Sequence, residues 1–453
     1  MKKDKNKIKP GEVLLVAEPF VATLSSKFRT ERCDYCFQPS NLLKCSACQY
    51  VYYCNNDCQR HAWKEHKGEC KNLKKIQPRV VPDAARTMAK LIIKLNSASG
   101  SMEKGYYSKS CFRMFKDLMS HYTDVKKDKI RMEHFASLCA VLNDFLGPEI
   151  LPNPVGMLGI YGRLCVNGFN ICDPDMTSIG VGVYLAPTII DHSCDPNAVA
   201  VFEQRTIYIR AIKEIAAPLD WNKVFISYID LMSDPSERQQ ELLSTYYFLC
   251  QCNRCTNEHE RSLMKSMLCP NSECGEPIFV DDVKDGEDNA VDLSCSKCEA
   301  IVKDETFKEF KEVSDFTDMH LKTMKDVAYL DVCNLCLRKQ EGLFHPMNIQ
   351  HLKTLDAAYQ SAIQMNQFDT ALRYGKQLIP GFREYFGQYH PSYAILLLML
   401  AKILVYVENF KDAATYLKES EKIIEITHGK QHSLYRHDFL PLLFQTQAAL
   451  GKI

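Results

Sequence analysis

The sequence predicts an α+β protein of several domains, with a β-rich middle, helical regions on either side of it and several small zinc-binding modules. Three observations lead to this expectation. The length of 453 residues argues for two to four domains rather than one core. Most of the 21 cysteines fall in tight clusters. The spacing of apolar residues changes from helical to strand-like and back to helical along the chain.

The overall composition excludes several classes of protein. Lysine plus arginine equals aspartate plus glutamate at 56 each, so the formal net charge is zero, which argues against a general binder of nucleic acids or anionic membranes. Hydrophobic residues make up 46% and charged residues 25%, as is usual for a folded globular protein. The longest apolar run, residues 394–407, contains Lys402 and is too short to cross a bilayer, so we expect a buried helix there.

The number of cysteines predicts metal binding rather than disulfides. Residues 1–9 are basic but lead into Pro10 without an apolar core, so we expect no secretory signal peptide. In a protein that is not secreted, many cysteines indicate thiolate or metal chemistry in a reducing compartment.

Eight possible metal donors lie in four close pairs within the first seventy residues. They are Cys33, Cys36, Cys45, Cys48, Cys54, Cys58, His66 and Cys70. Eight donors of this type make two tetrahedral zinc sites with no position left for water, which is the arrangement of structural zinc. The alternative, a cluster of free buried thiols, fits this regular spacing poorly. His61 lies nearby, but His66 stands closer to Cys70 at the spacing expected of a ligand pair.

Further cysteine groups lie in the second half of the chain. A self-contained four-cysteine ribbon, which closes a polar acidic loop, predicts another zinc site and consists of Cys269, Cys274, Cys295 and Cys298. A group of three thiols needs a fourth donor from elsewhere and consists of Cys250, Cys252 and Cys255. Cys333 and Cys336 lack a partner pair and share one face of a predicted helix, so we expect buried thiols there.

The spacing of apolar residues divides the rest of the chain. Residues 80–165 have helical spacing, with a stop at Gly147-Pro148. Residues 303–325 are again predicted to be helical. Short β-rich runs lie between these regions, at residues 180–184, 198–202, 206–209 and 224–228.

The C-terminal third contains a repeat. Five residues recur 42 positions later, as the pairs Phe368 and Phe410, Ala371 and Ala413, Tyr374 and Tyr416, Gly387 and Gly429, and His390 and His432. A weaker copy begins near His345-Pro346. Helix-pair repeats of this length stack into solenoids, whereas the alternative is an ordinary helical bundle with coincidental similarities. Under both interpretations the region is all-α and binds or packs rather than catalyses.

Motifs in and around the cysteine clusters resemble two known modules. Residues 33–70, with Tyr52-Tyr53-Cys54 and Gln59-x3-Trp63-x2-His66, resemble a MYND finger. Three further segments, Asp191-His192-Ser193-Cys194, residues 226–230 and residues 246–252, resemble the core of a SET domain and its cysteine-rich tail. With these motifs in this order, the chain resembles the SET-and-MYND-domain protein lysine methyltransferases over nearly its whole length.

The resemblance implies a β-rich SET core with an inserted MYND zinc finger and a helical insertion, a post-SET zinc site, an extra zinc ribbon and C-terminal TPR-like helical repeats. The expected boundaries are 1–30 for the N-terminal part of the split SET domain, 33–70 for the finger, 80–165 for the helical insertion, 166–235 for the core SET, 240–260 for the post-SET site, 265–300 for the ribbon and 303–453 for the TPR-like helices.

The resemblance also implies how the metal ligands are shared among the sites. One zinc ion of the finger takes Cys33, Cys36, Cys54 and Cys58, and the other takes Cys45, Cys48, His66 and Cys70. Cys194 completes the tail site with Cys250, Cys252 and Cys255. With the ribbon, about four zinc ions are expected.

The implied reaction is transfer of a methyl group from S-adenosylmethionine to a lysine amine. Tyr228 is the implied catalytic tyrosine, Tyr246 lines the lysine channel, and Phe248 stacks near the adenine of the cofactor. The remaining implied cofactor contacts are His121, Asn167, Asp191 and His192. A tyrosine in a β-rich segment usually serves core packing, but the motif around Tyr228 argues for function.

The implied substrate is a histone or non-histone protein with an exposed lysine. The finger implies proline-rich peptide partners and chromatin partners. We expect a monomer in the cytoplasm and the nucleus, without sequence-specific nucleic-acid binding and without a membrane.

Departures from the family pattern leave a second hypothesis open. Asp191 replaces the usual asparagine, residues 217–222 replace a Gly-Glu-Glu segment, and Met119 stands at an acidic position. A glycine-rich first strand is also expected to be missing ahead of Lys9. The alternative is therefore a catalytically weak or inactive scaffold that works through its finger and repeats. We favour the methyltransferase because the residues implied for the chemistry are present.

Overall fold

The computed structural model describes residues 6–280, 293–324 and 329–451. The chain divides into two compact units. The first contains the chain as far as His192 and residues 196–226 and 242–248, and the second contains residues 193–195, 227–241 and the chain from Leu249 onward. Among the described residues, no helix is long and apolar enough to span a bilayer.

The strands of the first unit are short and pair in small sheets. They are β1 Lys7–Ile8, β2 Val13–Ala17, β3 Val21–Leu24, β4 Leu43–Lys44, β5 Tyr52–Tyr53, β6 Gly105–Tyr106, β7 Phe112–Arg113, β8 Gly168–Cys172, β9 Ser178–Val183, β10 Asp191–His192, β11 Ala198–Glu203, β12 Thr206–Ala211, β13 Ile215–Ala216 and β14 Phe225–Ile226. Two three-stranded sheets have the orders β11-β12-β2 and β3-β9-β8, and β10 pairs in parallel with β14.

The predicted β-rich runs all contain strands, but two of them end earlier than predicted. The run at residues 180–184 ends with β9 at Val183, so Tyr184 lies outside the strand. The run expected at residues 224–228 is only β14, which ends at Ile226, so Tyr228 lies outside the strand. The hydroxyl of Ser227 donates to the carbonyl of Ile229 at 2.7 Å. Such local side-chain bonds compete with the hydrogen bonds of a strand, which accounts for the early end of β14.

Helices occupy most of residues 80–165, as predicted, but residues 102–121 form no α-helix. Among the described residues, seven α-helices lie wholly or partly in the first unit. They are α1 Asn56–Ile76, α2 Asp83–Leu95, α3 Ala98–Ser101, α4 Tyr122–Lys127, α5 Lys129–Leu146, α6 Pro154–Asn167 and α7 Pro235–Tyr246, the last of which includes residues of both units. The β6–β7 hairpin interrupts the helices. A Cβ atom at Gly105 would lie 2.5 Å from the Cβ of Leu185, so the close approach of this hairpin requires glycine.

The core of the first unit includes the predicted finger. Buried finger residues such as Cys45 and Tyr50 belong to the same apolar cluster as Met88 of α2, Leu142 of α5 and Tyr161 of α6. A finger of this size buries little apolar surface by itself, so sharing a core with three helices adds to the stabilisation that metals supply.

The second unit is largely helical. Its elements are α8 Glu258–Met264, β15 Met267–Leu268, β16 Pro277–Ile278, α9 Asp304–Thr323, α10 Leu330–Gln340, α11 Ile349–Gln364, α12 Phe368–Phe386, α13 Pro391–Tyr406, α14 Phe410–Thr427, a π-helical segment Leu434–Phe439 and α15 Leu440–Ala449. Residues 394–406 of the apolar run lie in α13, which is largely buried as predicted, whereas Val407 follows the helix and is exposed. The helix predicted at residues 303–325 corresponds to α9. Residue 325, the last of the predicted range, lies outside the described residues.

The repeat coincides with helix boundaries. Phe368 and Phe410 are the first residues of α12 and α14, and Gly387 and Gly429 follow the ends of these helices. Both glycines have a positive φ, 85° and 86°, which L side chains adopt only with strain. The phenylalanine and glycine of each repeat therefore mark the beginning and end of a helix.

The repeated histidines have a shared local role. The Nδ1 atom of His390 accepts a hydrogen bond from the main-chain N–H of Ser392 at 3.2 Å. The same contact, to the N–H two residues later, is made by His432 at 3.1 Å and by His345 at 3.2 Å. Each bond requires a neutral ring with an unprotonated Nδ1 atom.

Candidate metal centres and candidate active site

The first finger cluster joins four thiols from two separate segments. Cys36 Sγ lies 3.8 Å from Cys54 Sγ, which lies 3.3 Å from Cys58 Sγ, and all four donor atoms, with Cys33, are within 4.8 Å of one another. Sulfur atoms about 2.3 Å from one Zn²⁺ at tetrahedral angles are about 3.8 Å apart. The spacing fits a zinc tetrathiolate and is far longer than the about 2.05 Å of a disulfide.

The second finger cluster joins Cys45, Cys48, His66 and Cys70, all of which are buried. Cys45 Sγ is 4.0 Å from Cys70 Sγ, and Cys48 Sγ is 3.5 Å from His66 Nε2. His66 and Cys70 lie one turn apart on α1, so the helix itself brings two of the donors to one face. Both donor quartets are those that the interleaved pairing implied.

A buried ionic network supports the second cluster. His66 Nδ1 contacts Glu69 Oε1 at 3.1 Å, so its other ring nitrogen is the one directed at the metal site. Glu69 in turn binds Arg86 at 2.7 Å, and Arg86 binds both carboxylate oxygens of Asp34 at 2.7 and 2.8 Å. A carboxylate behind a metal-binding histidine fixes the tautomer and the orientation of its ring.

The charges of this network compensate one another. Burial alone would lower the pKa of Arg86, but the charges of Asp34 and Glu69 raise it well above its usual value. None of these three residues was predicted from the sequence. The position of Glu69, three residues after His66 on the same helix, is the signal that predicts such a partner.

The tail cluster, which lies in the second unit, joins Cys194 to Cys250, Cys252 and Cys255. Cys194 Sγ is 3.5 Å from Cys255 Sγ. The structure thus brings together the three sequence-local thiols and the fourth donor that the resemblance implied. The donors fit Zn²⁺ by the same geometric argument as the finger.

The ribbon brings its own four thiols together. Cys269 Sγ is 3.5 Å from Cys298 Sγ, and Cys274 Sγ is 3.6 Å from Cys295 Sγ. The β15–β16 hairpin carries the first pair, and the polar loop that leads to the second pair lies at residues 281–292, outside the described residues. Four donor sets, each complete, are consistent with about four zinc ions.

The remaining cysteine pair belongs to no donor set among the described residues. Cys333 and Cys336 are buried on α10, and Cys333 Sγ contacts the sulfur of Met324 at 3.8 Å. Burial raises the pKa of Cys333 to about 11, so the thiol stays protonated at neutral pH. The expectation of buried thiols is confirmed.

One predicted cofactor contact, His192, meets the predicted aromatic residue Phe248 in the first unit, and Asp191 precedes His192 on the same strand. Asp191 and His192 form β10, which is held by β14. Asp191 is exposed, and the ring centroids of His192 and Phe248 are 5.9 Å apart. The arrangement offers a carboxylate and an aromatic surface from neighbouring backbone segments.

Asn167 and His121 are held by contacts of a different kind. The Nδ2 atom of Asn167 donates to the carbonyls of Met119 and Arg163 at 2.8 and 2.9 Å, so both of its N–H bonds are used. His121 has a positive φ of 45°, contacts Asp124 through Nδ1 at 3.1 Å and packs against Tyr247 with a centroid distance of 5.4 Å. Asn167 therefore offers a ligand an acceptor oxygen only.

The two predicted catalytic tyrosines lie in different segments. Tyr246 is the last residue of α7 and belongs to the first unit, whereas Tyr228 follows β14 and belongs to the second unit. Both side chains are partly buried, so each combines a packed ring with some solvent access.

Comparisons with known proteins agree with these motifs. The family model for the MYND finger matches residues 33–70. The chain is 28% identical to histone-lysine N-methyltransferase SMYD3 of Mus musculus, over 97% of this chain and 94% of the relative. It is 27% identical to histone-lysine N-methyltransferase ASHR1 of Arabidopsis thaliana, over 93% of this chain and 88% of the relative. It is 25% identical to N-lysine methyltransferase SMYD2-A of Xenopus laevis, over 93% of this chain and 91% of the relative. A MYND finger thus lies inside a similarity to named lysine methyltransferases that spans nearly the whole chain.

Proposed function

We propose that this protein is an S-adenosylmethionine-dependent protein lysine N-methyltransferase that acts on histone or non-histone proteins. The similarity to named lysine methyltransferases over more than nine-tenths of the chain supports the activity. The observation that carries the proposal at residue level is the placement of His192 and Phe248 beside the β10–β14 pair, where the family motifs put the cofactor.

The proposed architecture follows the boundaries expected from the sequence. The SET core consists of residues 1–30 and 166–235, interrupted by the finger and by the helical insertion at 80–165. The post-SET site at 240–260, the ribbon at 265–300 and TPR-like repeats at 303–453 complete the chain. The coincidence of the 42-residue repeat with the ends of α12 and α14 supports the last of these assignments.

The residues of the first unit fit a nucleoside cofactor with an amino-acid end. The exposed carboxylate of Asp191 is suited to an ammonium group, and the ring of Phe248 is suited to a base. Asn167 accepts a hydrogen bond through its oxygen because its N–H bonds hold the segment that carries His121. When bound, S-adenosylmethionine supplies an electrophilic methyl group.

The protein side of the reaction is deprotonation and positioning of the lysine. A free lysine amine has a pKa of about 10.4, and only its neutral form has the lone pair that attacks. Tyr246 lines the channel, where desolvation lowers the pKa of the amine. Tyr228 orients the amine through its hydroxyl, and such positioning is worth about 7–11 kcal/mol at best.

The finger and the cell compartment are part of the same proposal. Leu43 and Trp63 are large apolar residues of the finger that are 62% and 47% exposed. Proline-rich peptides bind to exposed aromatic and apolar surfaces of this kind, so we assign such partners to the finger. The protein is proposed to act as a monomer in the cytoplasm and the nucleus.

Two measurements test the proposal. Calorimetry with S-adenosylmethionine should show binding, and labelled cofactor should transfer a methyl group to histones or to other proteins. If S-adenosylmethionine does not bind, the scaffold hypothesis is favoured over the enzyme. Asp191 would then not replace the cofactor contact of the usual asparagine.

Tyr228→Phe tests the catalytic assignment. The substitution removes one hydroxyl and little volume, so turnover should fall at least about tenfold, or about 1.4 kcal/mol, while zinc content and cofactor affinity stay the same. Tyr208→Phe is the matched control, because Tyr208 is also a partly buried tyrosine but lies on β12. Equal turnover of both variants would remove Tyr228 from the mechanism.

A further inference from the structure

One guanidinium group in the second unit connects the tail metal site to the C-terminal helices. The Nη1 atom of Arg254 donates to the carbonyl of Cys194 at 2.9 Å and to the carbonyl of Tyr385 at 2.8 Å. Its Nε and Nη2 atoms bind the carboxylate of Glu260 at 2.6 to 3.1 Å. Arg254 itself stands between the metal donors Cys252 and Cys255.

Each of these acceptors has a structural need for the contact. Tyr385 is in the last turn of α12, where carbonyls have no partner within the helix and a cation is favoured. Glu260 lies in the first turn of α8 and is mostly buried, so it requires a counter-charge. Cys194 supplies the one donor that is far in sequence from the other three.

A second arginine adds to the positive charge at this site. Arg238 is fully buried, donates to the carbonyl of Ser233 at 2.6 Å and contacts Glu260 at 3.3 Å. A Zn²⁺ ion bound by four thiolates has a net charge of −2. The two guanidinium groups and the carboxylate of Glu260 together have a net charge of about +1, which offsets part of that negative charge.

We infer that Arg254 is a positioning residue for the tail metal site, because it fixes the main chain of Cys194 to the end of α12 and to Glu260. The loop with Cys194 is thus held in place by the packing of the helical repeats as well as by the metal. This contact lowers the loop-closure cost of bringing a distant fourth ligand to three local ones. Arginine is needed because its planar fork reaches three acceptors at once, which an ammonium group at the end of a lysine side chain does not.

The experiment measures how fast a chelator removes each zinc ion from the purified protein. In Arg254→Ala, one of the four ions should leave at least about tenfold faster, since loss of an outer-shell partner costs about 10–100-fold in metal affinity. The other three ions serve as an internal control for the folded state. Faster loss of all four ions, or of none, would overturn the inference.

Three further variants identify the site and the role. Arg254→Lys should also lose one ion faster, and full recovery of the wild-type rate by lysine would show that charge alone matters. Cys194→Ser should bind three ions, and adding Arg254→Ala to it should accelerate none of them; a remaining fast phase would place the effect of Arg254 elsewhere. Arg383→Ala removes an exposed arginine of α12 that pairs with Glu419 and should leave all four rates unchanged; if it also accelerates one ion, the effect is not specific to Arg254.

Discussion

The MYND finger and the C-terminal helices both enclose polar side chains, but the finger packs against a network of buried charges, whereas the helices hold partly buried neutral imidazoles. Arg86 of α2 is held between the finger carboxylates of Asp34 and Glu69, and all three side chains are at most 5% exposed. In the helices, burial lowers the pKa of His345, and burial together with the nearby charge of Arg254 lowers the pKa of His390 to about 4.

The finger has buried charges and the helices have neutral imidazoles because the polar groups serve different purposes in the two regions. The finger has to orient a metal-binding histidine, and a carboxylate behind His66 does so only if a cation compensates its charge. A helix start needs only an acceptor for one main-chain N–H, which a neutral ring nitrogen supplies. A buried polar group is therefore stable either in a complete ion pair or as a neutral hydrogen-bonded group, and this chain uses both solutions.

The largest effect on stability is expected from loss of a zinc ligand in the finger, and it should be larger than the effect of losing one in the ribbon. Cys70→Ser should release one zinc ion and loosen the first unit, because Cys70 shares an apolar cluster with α5. Structural zinc contributes on the order of 10 kcal/mol in small finger peptides, which is comparable to the stability of a whole domain. Amide hydrogen exchange in α5 measures the effect.

Cys295→Ser is the matched variant for that comparison. It should also release one zinc ion, but faster exchange should be confined to the β15–β16 hairpin and to α9, whose Phe307 and Phe310 pack against the ribbon. Unchanged exchange of α5 in Cys70→Ser would show that the finger is independent of the core.

An intermediate effect is expected for the buried charges. Arg86→Met leaves Asp34 and Glu69 without a counter-charge, and breaking a buried ion pair in this way costs about 3–5 kcal/mol. The shift of the urea midpoint of the first unit measures the loss. Arg79→Met is the control, because Arg79 pairs with Asp144 on the surface of the same unit and its removal should leave the midpoint unchanged. Equal midpoints for both variants would mean that the network contributes nothing to stability.

The smallest effect concerns the neutral histidines and depends on pH. The pKa of His390 is about 4 when folded and about 6.5 in an unfolded chain, so the unfolded state binds the proton first as the pH falls. The contribution of His390 is complete above about pH 6.5 and is lost towards pH 4, by up to about 3 kcal/mol.

His390→Asn isolates this contribution. Asparagine accepts the same hydrogen bond from the helix start but does not titrate. The difference in unfolding free energy between the variant and the wild type should therefore change in favour of the variant between pH 7.5 and pH 5. A difference that is independent of pH would show that the ring of His390 is not the titrating group. Zinc loss at low pH affects both proteins and cancels in this comparison.

The sequence alone predicted the features that depend on local spacing. Cysteine pairs three to five residues apart can share one turn or one helix face, so the donor quartets of the finger and the ribbon followed from spacing and resemblance before any fold was known. The 42-residue repeat predicted recurring helices, and the structure shows that its Phe368 and Phe410 each begin one, because a helix boundary depends mainly on a few local residues. Tyr228 shows the limit of this reasoning, since a hydroxyl at Ser227 was enough to end the strand early.

Only the tertiary structure decided which distant side chains meet. Arg86 lies seventeen residues from Glu69 and fifty-two from Asp34, and no periodic pattern in the sequence encodes that pairing. Arg254 reaches Cys194 and Tyr385 because the packing of a whole helical unit brings their carbonyls within reach of one guanidinium group. Local spacing determines which residues can bind a metal, whereas long-range packing determines which charges surround it, because the free energy of burying a charge depends on every neighbour that the fold supplies.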